Sequence, residues 1–147
     1  MPAIHTILKE EQAMVPVHER KESTLRFLSN AEKQQHLTNR IVMNDKYVPK
    51  KYRYVWTQEA FRLSMNIFEN VRRANIIYPK NVRELELRIE YLMKAESDAE
   101  ALLSQTAFAR QTFDIPNGLQ KEWEKLCINT KNAIRKRRKE DADRFQF

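Results

Sequence analysis

A single glycine, Gly118, occurs in the 147 residues of this chain. Glycine is the usual occupant of the φ > 0 positions that tight hairpin turns require. A chain with one glycine therefore lacks the turns from which an antiparallel sheet is built. The five prolines stand at positions 2, 16, 49, 79 and 116. The last three bound runs of about 30 residues free of both breakers, and such runs read as helices. The expected fold class is all-α, an up-down four-helix bundle, in which short linkers let four apolar stripes face one core. At this length the chain is read as one domain, able to bury roughly 70% of its unfolded surface.

The first helix is expected near 23–45, with Ser23 or Thr24 as cap. Its stripe is Phe27, Ala31, Thr38, Ile41 and Val42, with Leu28 and Leu37 to the side. The second is expected near 50–77, since Pro49 suits a first turn and the residue before Pro79 is pushed out of the α region. In it Tyr54, Phe61, Phe68 and Asn75 fall seven apart, alternating with Thr57, Ser64 and Val71. This spacing reads as an a/d core seam, with Trp56 pointing away from it. The third helix is expected near 82–109. Asn81 with Glu84 forms a capping-box pattern, and Leu85, Ile89, Leu92, Ala95 or Glu96, Ala99 and Leu102 keep a helical period. The fourth, near 118–139 with Asn117 as cap, carries Leu119, Trp123, Leu126, Thr130, Ala133 and Ile134 on one face. The bundle thus spans 23–139. Residues 1–22 read as an arm with a short helix near Leu8 to Met14, and residues 140–147 as a loose tail.

Little in the chain points to catalysis. His5, His18 and His36 share no metal spacing, and there is no Glu-x-x-His pair of the kind that builds di-iron bundles. One glycine excludes a Gly-rich phosphate loop. Cys127 beside the fourth apolar stripe reads as a packed thiol, not a nucleophile. No cofactor is expected, and the chain is not expected to be an enzyme. No stretch approaches the roughly 20 apolar residues of a membrane span and no signal peptide is visible, so a cytoplasmic protein is expected. The third helix is acidic on its surface: Glu84, Glu86, Glu90, Glu96, Asp98 and Glu100 against Arg83, Arg88 and Lys94. That row reads as a solvated face or an ion-pairing surface for the basic helices.

Net charge is +7 and the isoelectric point about 9.6, which favours an acidic partner. Two basic groups are candidate nucleic-acid-binding sites. One is Lys50, Lys51, Arg53, Arg62, Arg72 and Arg73 on the second helix. The other is Lys131 with Arg135, Lys136, Arg137, Arg138 and Lys139 at the end of the fourth. Phosphates neutralised by such groups release condensed counterions, which makes binding steeply salt-dependent.

The run Val48-Pro49-Lys50-Lys51-Tyr52-Arg53-Tyr54, a long helix ending Arg72-Arg73-Ala74-Asn75, and a helix bearing Arg83, Arg88 and Lys94-Ala95 resemble the Avd-like four-helix-bundle family. Its members include the accessory variability determinants of diversity-generating retroelements, and its relatives the bundle proteins encoded in ribosomal intervening sequences. The similarity covers roughly residues 45 to 105. Lys50, Lys51 and Arg53 match the family's proline-basic start, and Arg73 and Asn75 its Arg/Ala-Asn step. The resemblance implies a non-catalytic, nucleic-acid-binding homo-oligomer, a pentamer, that associates with the element's reverse transcriptase. On that expectation the chain scaffolds template RNA or DNA and polymerase for mutagenic complementary-DNA synthesis. The alternative is a protein-interaction bundle of another mobile element whose basic faces bind an acidic protein. A peripheral membrane role is a third reading; it lacks the free apolar face such a helix needs.

Overall fold

Four α-helices follow one another in the structure, a computed structural model that describes residues 17–147, with side chains from residue 26 onward. They are α1 (Val17–Val42), α2 (Gln58–Ile76), α3 (Val82–Thr112) and α4 (Asn117–Arg144). No strand occurs among the described residues. Each helix packs on its sequence neighbours, and α1 also packs on α4, closing a four-sided up-down bundle. No helix of the described residues is long and apolar enough to cross a membrane.

The expected boundaries shift in ways the local chemistry explains. No proline or glycine interrupts 17–42, and α1 begins at Val17, so Ser23 and Thr24 lie inside it and do not cap it. The arm expected over 1–22 therefore gives way to helix before its end, and the short helix expected near Leu8 to Met14 lies outside the described residues. α1 ends at Val42, and the Asn44 side chain accepts from the Lys46 amide at 2.9 Å in the turn that follows. At α3 the capping box forms. Asn81 accepts from the Glu84 amide at 2.9 Å, and the Glu84 carboxylate reaches back to the Lys80 amide, one residue upstream of the usual partner. Pro116, not Asn117, is the N-cap of α4.

The entry to α2 departs most from expectation. A 3-10 turn over Lys50–Tyr52 passes into a π-helical turn over Arg53–Thr57 before α2 begins. A π turn holds an extra residue and resets the angular phase of everything before it. Tyr54 is consequently 85% exposed and Val55 77%, while Trp56 and Thr57 turn inward. Trp56 packs on Phe113 at 4.9 Å between ring centroids and on Phe108 at 6.1 Å, so it belongs to the core and not to a surface. Within α2 the buried line is Ala60, Leu63, Ser64, Ile67, Val71 and Ala74. Half of the expected seam, Thr57, Ser64 and Val71, is therefore buried. Its aromatic half is displaced by one residue, about 100° of rotation. Phe61 is 37% exposed, and Phe68 and Asn75 are half-buried at the flank. Small side chains take part of the seam, and there the Gln34 side-chain amide of α1 donates to the Ser64 carbonyl at 2.9 Å. Replacing Tyr54 by serine is expected to leave the thermal midpoint nearly unchanged, within about 0.5 kcal/mol, as for an ordinary surface position. A large loss in a circular-dichroism melt would restore it to the core.

In α3 the buried residues are Arg88, Leu92, Ala95, Ala99, Leu102, Thr106 and Ala109. In α4 Trp123, Cys127, Thr130 and Ile134 face inward, and the Trp123 indole donates to Thr38 Oγ1 at 2.9 Å. The C-terminal segment is not loose: α4 continues to Arg144 because Asp141 is fully buried against Arg88, and Phe145 packs edge-on to Tyr78 at 5.6 Å.

Candidate nucleic-acid interface

The up-down order sets where each basic group lies. α2 is 19 residues long, about 28 Å at roughly 1.5 Å per residue. Lys50, Lys51 and Arg53 precede its start, while Arg72 and Arg73 stand at its end. α4 runs in the same direction on the opposite corner, so its basic run shares the lower end of the bundle with Arg72 and Arg73. The twelve expected residues thus form no single surface.

Most of them also have carboxylate partners within the chain. Asp45 lies 3.7 Å from Lys50 and 3.2 Å from Arg53. Glu59 takes both nitrogens of the Arg62 fork, at 3.0 and 2.6 Å. Glu69 serves Arg72 at 3.6 Å and Arg73 at 3.1 Å. Lys51 lies over the Tyr52 ring at 5.5 Å. On α4, Glu96 accepts from Arg135 at 2.8 Å and Arg138 at 3.0 Å, and Glu100 lies 3.1 Å from Lys131. Two members of the acidic row of α3, Glu96 and Glu100, are therefore ion-pairing partners of α4. The run at 135–139 is not a cluster of repelling charges. Only Arg137 and Lys139 in it have no ion pair among the described residues, since Lys136 lies 3.9 Å from Glu140.

Glu96 shows how far this neutralisation goes. Burial alone would raise its pKa, but hydrogen bonds from Arg135 and Arg138 outweigh it and hold the carboxyl below its ordinary 4.5. A depressed folded-state pKa means stability present above the unfolded value and lost as pH falls through the folded one. Glu96→Gln is accordingly expected to destabilise the bundle near neutral pH, with the gap to the native chain closing on acidification. Melts across acidic pH test this: a gap that stays constant would show that the charge of Glu96 contributes nothing.

One face differs. Along α1, Arg26, Lys33 and Arg40 fall seven apart and are exposed, one position before the buried Phe27, Gln34 and Ile41. This edge meets α4: the Thr130 hydroxyl donates to the Asn30 carbonyl at 3.2 Å, and Arg137 lies over the Phe27 ring at 5.4 Å. Across it, Lys125, Asn129, Asn132 and Lys136 follow one another along the exposed edge of α4. Lys33, Arg40, Lys125 and Arg137 have no carboxylate at ion-pair distance among the described residues. Among the described residues, Glu122 and Glu140 are acidic residues exposed beside this face. Of the expected residues only Lys136 and Arg137 lie here. The α1 row lies outside the expected binding residues, although its seven-residue spacing is present in the sequence.

No protein-family model, curated protein or solved structure matches this chain. Function must therefore be read from the chemistry of the faces. Among the described residues no cluster of His, Cys, Asp and Glu is arranged to hold a metal ion. Cys127 is buried, and burial pushes its thiol up to about 12, far from the thiolate range that nucleophilic attack requires.

Proposed function

We propose that this protein is a non-catalytic, nucleic-acid-binding helical bundle that engages the sugar–phosphate backbone through the α1/α4 face. The observation that carries the reading is the contrast between faces. The cations on α2 and on the α3 side of α4 are matched by the chain's own carboxylates. Those of the α1/α4 face are matched sparsely, with asparagines interleaved. Unmatched charge repels itself in the free protein and is relieved by a polyanion, with counterion release supplying the driving force. Within this reading the Avd-like resemblance supplies a setting. The bundle would act as a cytoplasmic, oligomeric accessory protein of a diversity-generating retroelement, holding template RNA near the reverse transcriptase. Several copies would raise avidity without a new type of contact.

The test is titration of single-stranded RNA with the native chain at several salt concentrations. Neutralising about four phosphates of a single strand predicts a log–log slope of about −3. Charge reversal at Lys33 and Arg40, both exposed, is expected to weaken binding by at least about tenfold. Reversal at Arg62 and Arg73 should change it little. Affinity that is independent of salt, or unaffected by the Lys33 and Arg40 changes, would rule the reading out.

A second reading has its own observation. The edge of α2 beside α1 exposes Phe61 and Met65, with Tyr54 and Val55 above them, and Arg72 lies over Phe68 at 5.8 Å. Exposed aromatic and Met side chains next to Arg are the composition of protein interfaces. This favours a protein partner, another copy of the chain or an acidic protein, on that edge. Native mass measurement separates the two, and a strict monomer would remove self-association.

A further inference from the structure

Arg137 is half-buried like Arg135 and Arg138, but it faces a different helix. Arg135 and Arg138 reach α3 and share Glu96. Arg137 turns toward α1 instead, its guanidinium over Phe27. The buried carboxylate Asp141 bonds Arg88 through Oδ2 at 2.7 Å and its Oδ1 has no hydrogen-bond partner among the described residues, but it makes no ion pair with Arg137. Burial works against the Arg137 charge, Asp141 and Glu140 support it, and Arg88 and Arg144 oppose it. A cation is thus held where water is reduced and no carboxylate pairs with it among the described residues. It opens onto a groove of about 260 Å³ lined by Arg26, Phe27, Asn30, Ala133, Lys136 and Glu140. Ala133 is the small residue of the lining, Phe27 lies under the guanidinium at 5.4 Å, and Lys136 and Asn30 can add donors beside it. A planar fork matches two oxygens of one phosphate better than an ammonium does. Glu140, the one carboxylate among the described lining residues, lies 3.9 Å from Lys136, at the outer edge of ion-pair distance, with about half its side chain exposed.

We propose that this groove is a phosphate seat, in which Arg137 grips one backbone phosphate of a single-stranded nucleic acid while Lys136 and Asn30 complete the contacts. The seat rests on the α1/α4 reading above and names the point where that face holds the strand rather than attracting it at a distance.

The test uses the full chain, a labelled single-stranded RNA and two variants, Arg137→Gln and Arg137→Lys. Arg137→Gln is expected to weaken binding about tenfold and to lower the salt slope by about 0.7, the share of one phosphate contact. Arg137→Lys is expected to keep the slope and lose several-fold in affinity, because the charge stays and the fork is lost. Inorganic phosphate is expected to raise the melting temperature of the native chain and not that of Arg137→Gln. If both variants bind as the native chain does while reversal at Lys33 and Arg40 abolishes binding, the face stands and the seat falls. If no variant and no native chain binds RNA, both fall. An affinity loss in Arg137→Gln with an unchanged slope would assign Arg137 a structural role and overturn the seat. Equal stabilisation of native chain and variant by phosphate, an adventitious ion only, would overturn it as well.

Discussion

Arg88→Ala is expected to destabilise the bundle by about 3–5 kcal/mol, the cost of leaving a buried charge without its partner. Arg88 is 8% exposed and Asp141 fully buried. The guanidinium donates from Nε to Asp141 Oδ2 at 2.7 Å and from Nη1 to the carbonyls of Ala74 at 3.1 Å and Ile77 at 2.8 Å. One side chain of α3 thus holds the last turn of α2 and the last turns of α4. The Ile77 carbonyl lies at the C-cap of α2, where a helix end leaves carbonyls without an intrahelical partner. Removing it strands Asp141 and the Ile77 carbonyl together, while the Ala74 carbonyl keeps the bond from the Ile77 amide. Small domains are stable by only about 5–15 kcal/mol, so the loss is a large fraction of the total. For a chain of this size it lowers the thermal midpoint by on the order of 10 °C. Arg88→Lys is expected to fail nearly as badly, since one ammonium cannot span acceptors on two helices. The paired change Arg88→Met with Asp141→Leu is expected to recover much of the loss, because no charge is then left buried. Thermal and urea unfolding of the four proteins measures this. An Arg88→Ala cost below about 1 kcal/mol would mean that Asp141 finds water or another donor.

Arg88 also marks how far the sequence could be read. The class and the helix count followed from one glycine and three prolines, because backbone restrictions act locally. Part of the inward lines of α3 and α4 follows from period: Leu92, Ala95, Ala99, Leu102, Trp123, Thr130 and Ile134 are buried, while Leu85, Ile89, Leu119, Leu126 and Ala133 are half-buried at the flanks. The buried ion pair did not, because Arg88 and Asp141 are 53 positions apart and nothing local distinguishes them from solvated charges. Asp141 was assigned to the tail for the same reason. On α2 the aromatics suggested a seam by size and spacing, yet a seam on which two neighbouring helices close takes Ala60, Ser64 and Ala74. The basic surface depends on packing in a related way. Lys131, Arg135 and Arg138 look like a binding run in sequence, and only the packing of α4 on α3 brings Glu96 and Glu100 to them. The α1 row Arg26, Lys33 and Arg40 was legible by spacing but lacks the density that makes a basic run conspicuous.

Trp56→Ala is expected to cost about 3–5 kcal/mol, the range for a large aromatic removed from a core. The residue is 5% exposed and sits where the π turn rotates it into contact with Phe113 and Phe108. Phe113 in turn meets Tyr52 edge-on at 4.8 Å, so one aromatic cluster ties the entry of α2 to the end of α3. Its truncation opens a cavity at the end of the bundle opposite Arg88 and loosens the segment that presents Lys50, Lys51 and Arg53. Trp56→Phe is a sharper probe. The indole Nε1 of Trp56 is buried without a hydrogen-bond partner among the described residues, and a buried donor left unmade costs roughly 1–3 kcal/mol. Phenylalanine removes that donor and keeps most of the packing, so its cost is expected below about 1.5 kcal/mol. Trp123, whose indole is bonded to Thr38, is the control. Trp123→Phe loses a satisfied bond and leaves the Thr38 hydroxyl buried, so it should cost more than Trp56→Phe. Chemical unfolding of the three variants decides it: equal losses for the two phenylalanine variants would show that the Trp56 N–H is satisfied in solution.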